Sequence, residues 1–261
     1  MDIMSTMNGR NSAKHEVFDY DRVDYQAFWQ NFDRDYEDGA ERIALRRLTA
    51  DMQGSCLEIG GGFGRLVNEY APRCSEVLLT DYTAHLVEAA RQRVAELGLD
   101  NVQCRRLNLY ELESCGRQFD NAVCVRVMHH VEDVSAFFQQ VNLALAADGV
   151  FIFEYANKKN LLEIARYLLG RPNIAPFDYQ PGRRGSGIFY NFHPDYIRDK
   201  LLENGFVIEQ ELAVSIFRNR WLKKLFGKRL LCWLEKHLQR PLAALHPSPS
   251  VFIRARKIKE L

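Results

Sequence analysis

The sequence lacks any apolar run long enough to cross a bilayer, and residues 1–16 contain no apolar stretch of the kind that begins a secretory signal. We interpret residues 1–16 as a flexible leader. The six cysteines are dispersed, without a C-x-x-C pair or the spacing of a metal site. We therefore expect reduced thiols, a cytoplasmic location and no bound metal.

An excess of charge of one sign is also lacking. The 261 residues include 35 Lys and Arg and 34 Asp and Glu, which gives a formal net charge of +1. Such a balance provides no general attraction for nucleic acid, so we expect no nucleic-acid partner. The length favours one core over two catalytic domains, and no internal repeat or low-complexity segment is present.

What the sequence does contain is a regular alternation of short apolar runs with helical patterns between residues 55 and 156. The predicted strands are CLEIG, EVLLT, NVQCRRL, DNAVCVRV and GVFIFEYA, and the segment FGRLVNEYA predicts a helix after the first of them. Strands that alternate with helices form a parallel sheet, so the pattern predicts an α/β, Rossmann-like fold. Two later strands, VIEQELAVSIF and PSVFIRARK, predict an antiparallel hairpin at one edge and bring the total to seven.

The organising stretch is SCLEIGGGFGR, residues 55–65, which predicts a buried strand entering a glycine-rich turn. Glu58 lies two residues before Gly60, and its negative charge would repel a pyrophosphate and attract a cation. The dinucleotide pattern G-x-G-x-x-G fails because Arg65 occupies the third glycine position. Asp81 ends the second strand, where a carboxylate can bind both hydroxyls of a ribose or, alternatively, cap the next helix.

Four segments in chain order, LEIGGGFGR, LLTDYT, RRLNLYEL and FDNAVCVRVMHHVED, resemble the motifs of class I S-adenosylmethionine (SAM) dependent methyltransferases of the bacterial small-molecule type. The resemblance implies the seven-stranded methyltransferase fold, SAM as cofactor and S-adenosylhomocysteine as product. It also implies methyl transfer to an oxygen, nitrogen or carbon nucleophile on a small molecule, aromatic or lipophilic in character. A nicotinamide-dependent oxidoreductase and a non-catalytic binding module are the alternative functions.

We expect one methyltransferase domain over residues 17–261. Within it, a helical cap (17–53) precedes the cofactor-binding core (54–156), a lid region (157–192) and a basic amphipathic helical insertion (218–240).

The resemblance also implies a set of cofactor contacts. Glu58 would lie near the methionine moiety, Asp81 would bind the ribose hydroxyls and Tyr82 would lie against the adenine. Asn108 stands where the family commonly has an aspartate that binds the adenine amino group, and an ordinary turn is the alternative there. The complete set is Glu58, Gly60, Gly61, Gly62, Gly64, Asp81, Tyr82, Asn108, Leu109, Arg126 through its main chain, and Arg34 and Tyr36 at the methionine carboxylate.

His129, His130 and His193 are candidate general bases, since histidine titrates near neutral pH and the pair follows the fourth strand. Packing against loops is the alternative role for these histidines. The predicted walls of the substrate pocket are aromatic, and the alternative is that some of them fill the core. They are Tyr20, Tyr25, Trp29, Tyr155 and Tyr190.

The segment 218–240, RNRWLKKLFGKRLLCWLEKHLQR, combines an apolar stripe with a basic face, and Gly227 is expected to kink it. Such a helix can contact an anionic membrane surface or a lipid-tailed substrate. It can equally pack on its own domain or on a second copy, and we favour packing. The chain is accordingly expected to be a monomer or a homodimer.

Overall fold

The computed structural model describes residues 34–258 apart from residues 172 and 184–188, together with the backbone of two short strands, Arg10–Ser12 and His15–Val17. These two strands pair antiparallel with each other. Most of the predicted leader and residues 18–33 of the predicted cap lie outside the described residues.

A seven-stranded sheet forms the centre of the structure. Its strands, numbered in chain order, are β1 (Ser55–Ile59), β2 (Glu76–Asp81), β3 (Val102–Arg106), β4 (Phe119–Cys124), β5 (Leu145–Ala156), β6 (Phe206–Val214) and β7 (Ser250–Lys257). Their order across the sheet is β6-β7-β5-β4-β1-β2-β3. Strands β1 to β5 pair parallel, whereas β7 pairs antiparallel with both β5 and β6. The predicted mostly parallel sheet and its antiparallel edge pair are therefore confirmed.

The winding of the chain reverses between β1 and β4, which are neighbours in the sheet. In open α/β sheets, ligands bind outside the carboxyl ends of the strands at such a point. The topology therefore directs attention to the residues that follow β1 and β4.

Six helices accompany the sheet in the described part of the chain. They are α1 (Asp35–Leu48), α2 (Ala84–Glu96), α3 (Val134–Ala144), α4 (Leu161–Leu168), α5 (Pro194–Glu203) and α6 (Arg220–Leu238). Four of them begin at side-chain caps, which are Asp133, Asn160, His193 and Asn219. Asp133, for example, accepts the N–H of Ala136 at 2.9 Å, and Asn160 accepts the N–H of Glu163 at 3.1 Å. Gly227 has φ 67° and ψ 160° and interrupts α6, as predicted.

The predicted helix between β1 and β2 is wrong. The segment forms only two 3₁₀ turns, Val67–Glu69 and Ala71–Arg73. Gly64 has φ +74° and so cannot belong to a right-handed helix, and Pro72 has no N–H to donate and disfavours helical geometry at the preceding residue. Too few residues remain between Gly64 and Pro72 to form a stable α-helix.

Apolar side chains fill both faces of the sheet. On one face the rings of Phe151 and Phe153 stack at 4.6 Å between centroids, and Phe138 of α3 meets Phe153 edge-on at 5.5 Å. On the other face, Leu45 and Leu48 of α1 join the buried cluster. α1 therefore lies against the sheet as the spacing of its apolar residues predicts.

α1 is also attached by ion pairs. Glu41 is completely buried, and its two oxygens bind Arg126 Nε at 2.7 Å and Arg65 Nη2 at 2.5 Å. Burial alone would raise the pKa of Glu41, but the two guanidinium groups hold it below its usual value. Arg65 follows the glycine turn and Arg126 follows β4, so a single carboxylate fixes α1 over the carboxyl ends of both strands.

Within the described residues, no helix is both long enough and apolar enough to cross a membrane.

Replacing Glu41 with alanine should lower the free energy of unfolding by about 3–5 kcal/mol, because it removes a carboxylate from two largely buried guanidinium groups, of which Arg65 keeps Asp38 as a partner. Urea denaturation measures this loss. Glu88→Ala is the matched control, since the Glu88–Arg91 pair joins side chains that are 60% and 54% exposed. The control should cost less than about 1 kcal/mol. Equal losses in the two variants would contradict the role assigned to Glu41.

Candidate active site

The glycine turn after β1 is held in place from two sides. Gly61 donates its N–H to the carbonyl of Thr80 at 2.9 Å, which ties the turn to β2. Gly60 and Gly62 have φ values of 66° and 56°, in the left-handed region that favours glycine. A Cβ on Gly60 would lie 2.3 Å from Cγ2 of Val127, in the loop after β4. The turn therefore requires glycine for both conformation and space.

Glu58 lies directly beneath this turn. Its side chain is only 5% exposed, and a Cβ on Gly61 would be 2.8 Å from the Glu58 carboxyl carbon. Within the described part of the chain, Oε2 of Glu58 has no hydrogen-bond partner. Burial raises the pKa of Glu58 to about 7, while the Tyr70 hydroxyl and Arg65 act in the opposite direction. A cationic ligand at the turn would supply the missing partner and favour the ionised form.

Asp81, at the end of β2, connects the turn to α2. Its Oδ2 accepts the N–H of Gly62 at 2.9 Å, and its Oδ1 accepts the N–H of Thr83 at 2.9 Å. Thr83 occupies the N-cap position of α2, and its side chain makes no capping hydrogen bond. Asp81 thus makes a contact at the helix start, and a carboxylate is chemically able to accept several hydrogen bonds.

Tyr82 is supported by a residue that the sequence reasoning missed. Arg106 Nε donates to the carbonyl of Tyr82 at 2.8 Å, and its guanidinium carbon lies 5.4 Å from the centre of the Tyr82 ring. This cation–π contact restricts the orientation of the ring. Neither the strand pattern nor a motif singles out Arg106 among the arginines of its segment.

Asn108 and Leu109 follow β3. Oδ1 of Asn108 accepts the N–H of Tyr110 at 3.0 Å, a local turn of the kind that asparagine commonly forms. Leu109 is partly buried and packs against the apolar core. The ordinary turn, which was the alternative to adenine binding at Asn108, is therefore present. The Asn108 side chain lies beside the carboxyl edge of the sheet.

Arg126 has φ +64°, which is uncommon for a residue other than glycine. Its backbone N–H donates to Oε2 of Glu154 at 3.1 Å, while its side chain binds Glu41. Glu154 is buried in β5 and also accepts the hydroxyl of Ser250 at 2.7 Å, and burial raises its pKa. The sequence reasoning missed Glu154, although a single acidic residue in the apolar run GVFIFEYA is a usable signal.

Arg34 lies at the N-cap position of α1. Burial lowers its pKa to about 10, and the positive charges of Arg126 and Arg218 act in the same direction. Glu37 and Glu41 act in the opposite direction. Arg218 pairs with Glu37 at 3.5 Å and Arg126 binds Glu41, so Arg34 lies among both guanidinium groups and carboxylates where α1 meets the end of β4.

Tyr36 is fully buried, and its hydroxyl is bound to residues at and before α6. It donates to the carboxylate of Glu235 and accepts the N–H of Phe217 at 2.8 Å. In this structure Tyr36 joins α1 to α6, and its hydroxyl is engaged there.

The three candidate histidines differ in their surroundings. His129 is buried, and its ring centroid lies 4.1 Å from that of His130 and 4.5 Å from that of Phe189. Burial, together with nearby positive charge, lowers the pKa of His129 well below its usual value. Nδ1 of His193 accepts the N–H of Asp195 at 3.2 Å and caps α5, and burial lowers its pKa. Both rings therefore remain neutral near pH 7. His130 is partly exposed and is the most accessible of the three.

The predicted aromatic pocket is described only in part, because Tyr20, Tyr25 and Trp29 lie outside the described residues. Tyr155 is fully buried within the main apolar core, in line with the alternative role as core filling. Tyr190 is partly buried, and its ring centroid lies 6.3 Å from that of Phe192.

Residues 57–151 match the family model described as a methyltransferase domain. An uncharacterized methyltransferase YcgJ from Bacillus subtilis (strain 168) is 29% identical over 127 residues, 47% of this chain and 50% of that protein. A ubiquinone biosynthesis O-methyltransferase from Bradyrhizobium sp. (strain ORS 278) is 29% identical over 168 residues, 63% of this chain and 64% of that protein. The chain thus spans between half and just under two thirds of these relatives.

The fold agrees with solved methyltransferases. The crystal structure of magnesium protoporphyrin IX methyltransferase (ChlM) from Synechocystis PCC 6803 with bound SAH superposes with a TM-score of 0.62 at 16% identity. The match covers 91% of this chain and 96% of that one. Residues 57–151 thus match a methyltransferase domain, and the chain as a whole has the fold of a solved methyltransferase. The glycine turn, Glu58 and Asp81 lie at the carboxyl edge of the sheet, where ligands bind in folds of this kind.

The raised pKa of Glu58 predicts a pH-dependent stability in the absence of ligand. Its carboxyl group keeps a proton up to about pH 7 in the folded state and only to 4.5, its ordinary value, when unfolded. Stability is therefore lost as pH rises through this window, by about 3 kcal/mol at most. Glu58→Gln cannot ionise, so its stability relative to the unchanged protein should rise between pH 4.5 and 7. Urea denaturation across this pH range provides the measurement, and a constant difference would contradict the assignment.

Proposed function

We propose that this protein transfers a methyl group from SAM to a small-molecule acceptor. The observation that carries the proposal is the buried Glu58 carboxyl, with an oxygen that lacks a partner in the described residues, beneath the glycine turn. A cation at the turn is stabilised by this carboxylate, whereas the pyrophosphate of a nicotinamide cofactor is repelled. The relatives that are methyltransferases, one of them crystallised with SAH, support the same conclusion.

The residues at the carboxyl edge fit the cofactor in chemical type. Gly60 and Gly62 leave the backbone open to close approach, and Glu58 offers a negative charge to the methionine end. Asp81 has the accepting capacity to bind ribose hydroxyls, and Tyr82, oriented by Arg106, offers an aromatic face for adenine.

The methionine carboxylate needs positive charge, and Arg34 supplies it. Arg34 lies at the start of α1, close enough to Arg126 and Arg218 for their charges to lower its pKa. The side chain of Arg126 is already bound to Glu41. We assign Arg34 to the carboxylate because its guanidinium lies at the start of α1, beside the carboxyl edge of the sheet. The Tyr36 hydroxyl remains with Glu235 in this assignment.

When bound, SAM supplies a methyl group already activated by its sulfonium charge. The protein has to align the acceptor with that methyl group and exclude water. A neutral hydroxyl or amine acceptor must also lose a proton, and Nε2 or Nδ1 of His130 is the accessible imidazole for this step. His129 remains neutral and packs beneath it. An acceptor that is already anionic needs no base.

Replacing Asp81 with alanine should weaken the binding of SAM and of S-adenosylhomocysteine. Each hydrogen bond to the carboxylate contributes about 1.5–3 kcal/mol, so we expect about 10- to 100-fold weaker affinity by calorimetry. Asp100→Ala, in the exposed loop between α2 and β3, is the matched control and should bind normally. Absence of SAM binding by the folded, unchanged protein would refute the proposed function, and binding of NADH measured by fluorescence would favour the oxidoreductase.

Replacing His130 with glutamine should lower the turnover of neutral hydroxyl acceptors by about 100-fold, since a positioned base contributes a factor of this order. Labelled SAM and a panel of phenolic, quinone-like and tetrapyrrole acceptors provide the assay. Turnover of an acceptor that is anionic at the assay pH should be unchanged. An equal loss for both acceptor types would instead indicate that His130 positions the substrate.

A further inference from the structure

The outward face of α6 carries large apolar side chains exposed to solvent. Trp221 is 79% exposed, Leu225 75% and Trp233 57%. The complete exposed set on this helix is Trp221, Leu225, Phe226, Leu230 and Trp233. Single exposed apolar residues are normal on a protein surface, but five large ones on one helix mark a candidate interaction surface.

The inward face of α6 does not use these side chains. Glu235 accepts the Tyr36 hydroxyl and the N–H of Ile216, and Gln239, just past the helix, donates to the carbonyl of Ala40 at 2.9 Å. Cys232 packs so closely on α1 that a Cβ on Gly39 would be 2.7 Å from its sulfur. Leu231 is also buried, so the helix is attached by Leu231, Cys232 and Glu235, whereas Trp221 and Trp233 are exposed.

The segment 218–240, which contains α6, is strongly basic. Its eight lysines and arginines are Arg218, Arg220, Lys223, Lys224, Lys228, Arg229, Lys236 and Arg240, and its one acidic residue, Glu235, is buried. The whole chain has a net charge of only +1, so the remainder of the protein is acidic. A second copy docked through this face would oppose positive charge to positive charge. An anionic surface complements it.

We propose that the exposed face of α6 binds the surface of an anionic lipid bilayer. Trp221, Leu225 and Trp233 lie in the interfacial layer, where amphipathic aromatic rings are stabilised. The other lysines and arginines contact anionic headgroups, whereas Arg218 and Lys223 pair with Glu37 of α1. The kink at Gly227, where an added Cβ would meet no atom of the described residues within 4 Å, divides the helix into two segments on that surface. Because α6 contacts α1 through Tyr36, the site that α1 covers lies next to the bilayer.

α4 offers a contrast within the same chain. Leu168 and Leu169, at its end, are each 75% exposed, as strongly as Leu225. The one basic residue of α4, Arg166, is paired with Glu163 at 2.6 Å. α4 thus has the apolar exposure of α6 without its positive charge, and it provides a matched control.

Co-sedimentation of the full chain with phosphatidylcholine vesicles, with and without phosphatidylglycerol, tests the proposal. We expect binding to the mixed vesicles, weak binding to phosphatidylcholine alone, and loss of binding as salt is raised. Brominated lipids should quench tryptophan fluorescence, and Trp233→Phe should remove part of that quenching. Equal binding to both kinds of vesicle, or none to either, would overturn the proposal.

Variants then locate the surface. Trp221→Glu with Leu225→Glu, and separately Lys224→Glu with Lys228→Glu, should each weaken partition by about tenfold or more. Leu168→Glu with Leu169→Glu should leave it unchanged, and circular dichroism establishes that each variant is folded. Unchanged partition in both α6 variants, or an equal loss in the α4 control, would contradict the assignment. A dimer that the α6 variants dissociate, without vesicle binding, would assign the face to a second copy instead. None of these readouts depends on methyl transfer.

Discussion

The buried carboxylate of Glu41 is the contact on which the arrangement of the site depends. It joins α1 to Arg65 after the glycine turn and to Arg126 after β4, the two neighbouring strands where the winding of the chain reverses. Asp38, also on α1, pairs with Arg65 as well. In a region closed to water, charged groups are stable only beside their partners, so few arrangements of these groups are favourable. α1 is consequently fixed over the edge of the sheet where ligands bind.

A second glutamate, Glu58, shows the opposite balance. Both are buried, yet the pKa of Glu41 is lowered by its two guanidinium partners, whereas burial raises that of Glu58. Both oxygens of Glu41 have hydrogen-bond partners, whereas Oε2 of Glu58 has none in the described residues. Buried carboxylates also hold Arg126 in an uncommon backbone conformation, with φ +64°. Its N–H donates to Glu154 and its side chain binds Glu41, and these contacts offset the cost of that conformation.

The sequence was sufficient for features that depend on neighbouring residues. The parallel strands, the antiparallel edge pair and the kink at Gly227 follow from apolar periodicity and from glycine chemistry. The contacts of Glu41 could not be predicted, because its partners lie 24 and 85 residues away and many other arginines are available. The helix expected before Pro72 failed for a related reason: packing of the glycine turn sets the backbone of Gly64, and periodicity does not report it. The exposure of Trp221 and Trp233 on α6 could not be predicted either. An apolar stripe on a helix does not indicate whether that stripe faces the protein or the solvent.

The ion pairs of Glu41 limit which helices from other proteins could replace α1 in this chain. A helical segment that precedes the sheet is commonly regarded as an appendage to a self-sufficient cofactor-binding core. Here the segment supplies the negative charge that two core arginines require, so Glu41, Arg65 and Arg126 form a unit spread over three separate regions of sequence. A chimera that takes its first helix from another protein would retain this geometry only if that helix carried a carboxylate at the position of Glu41, since Arg65 and Arg126 remain in the core.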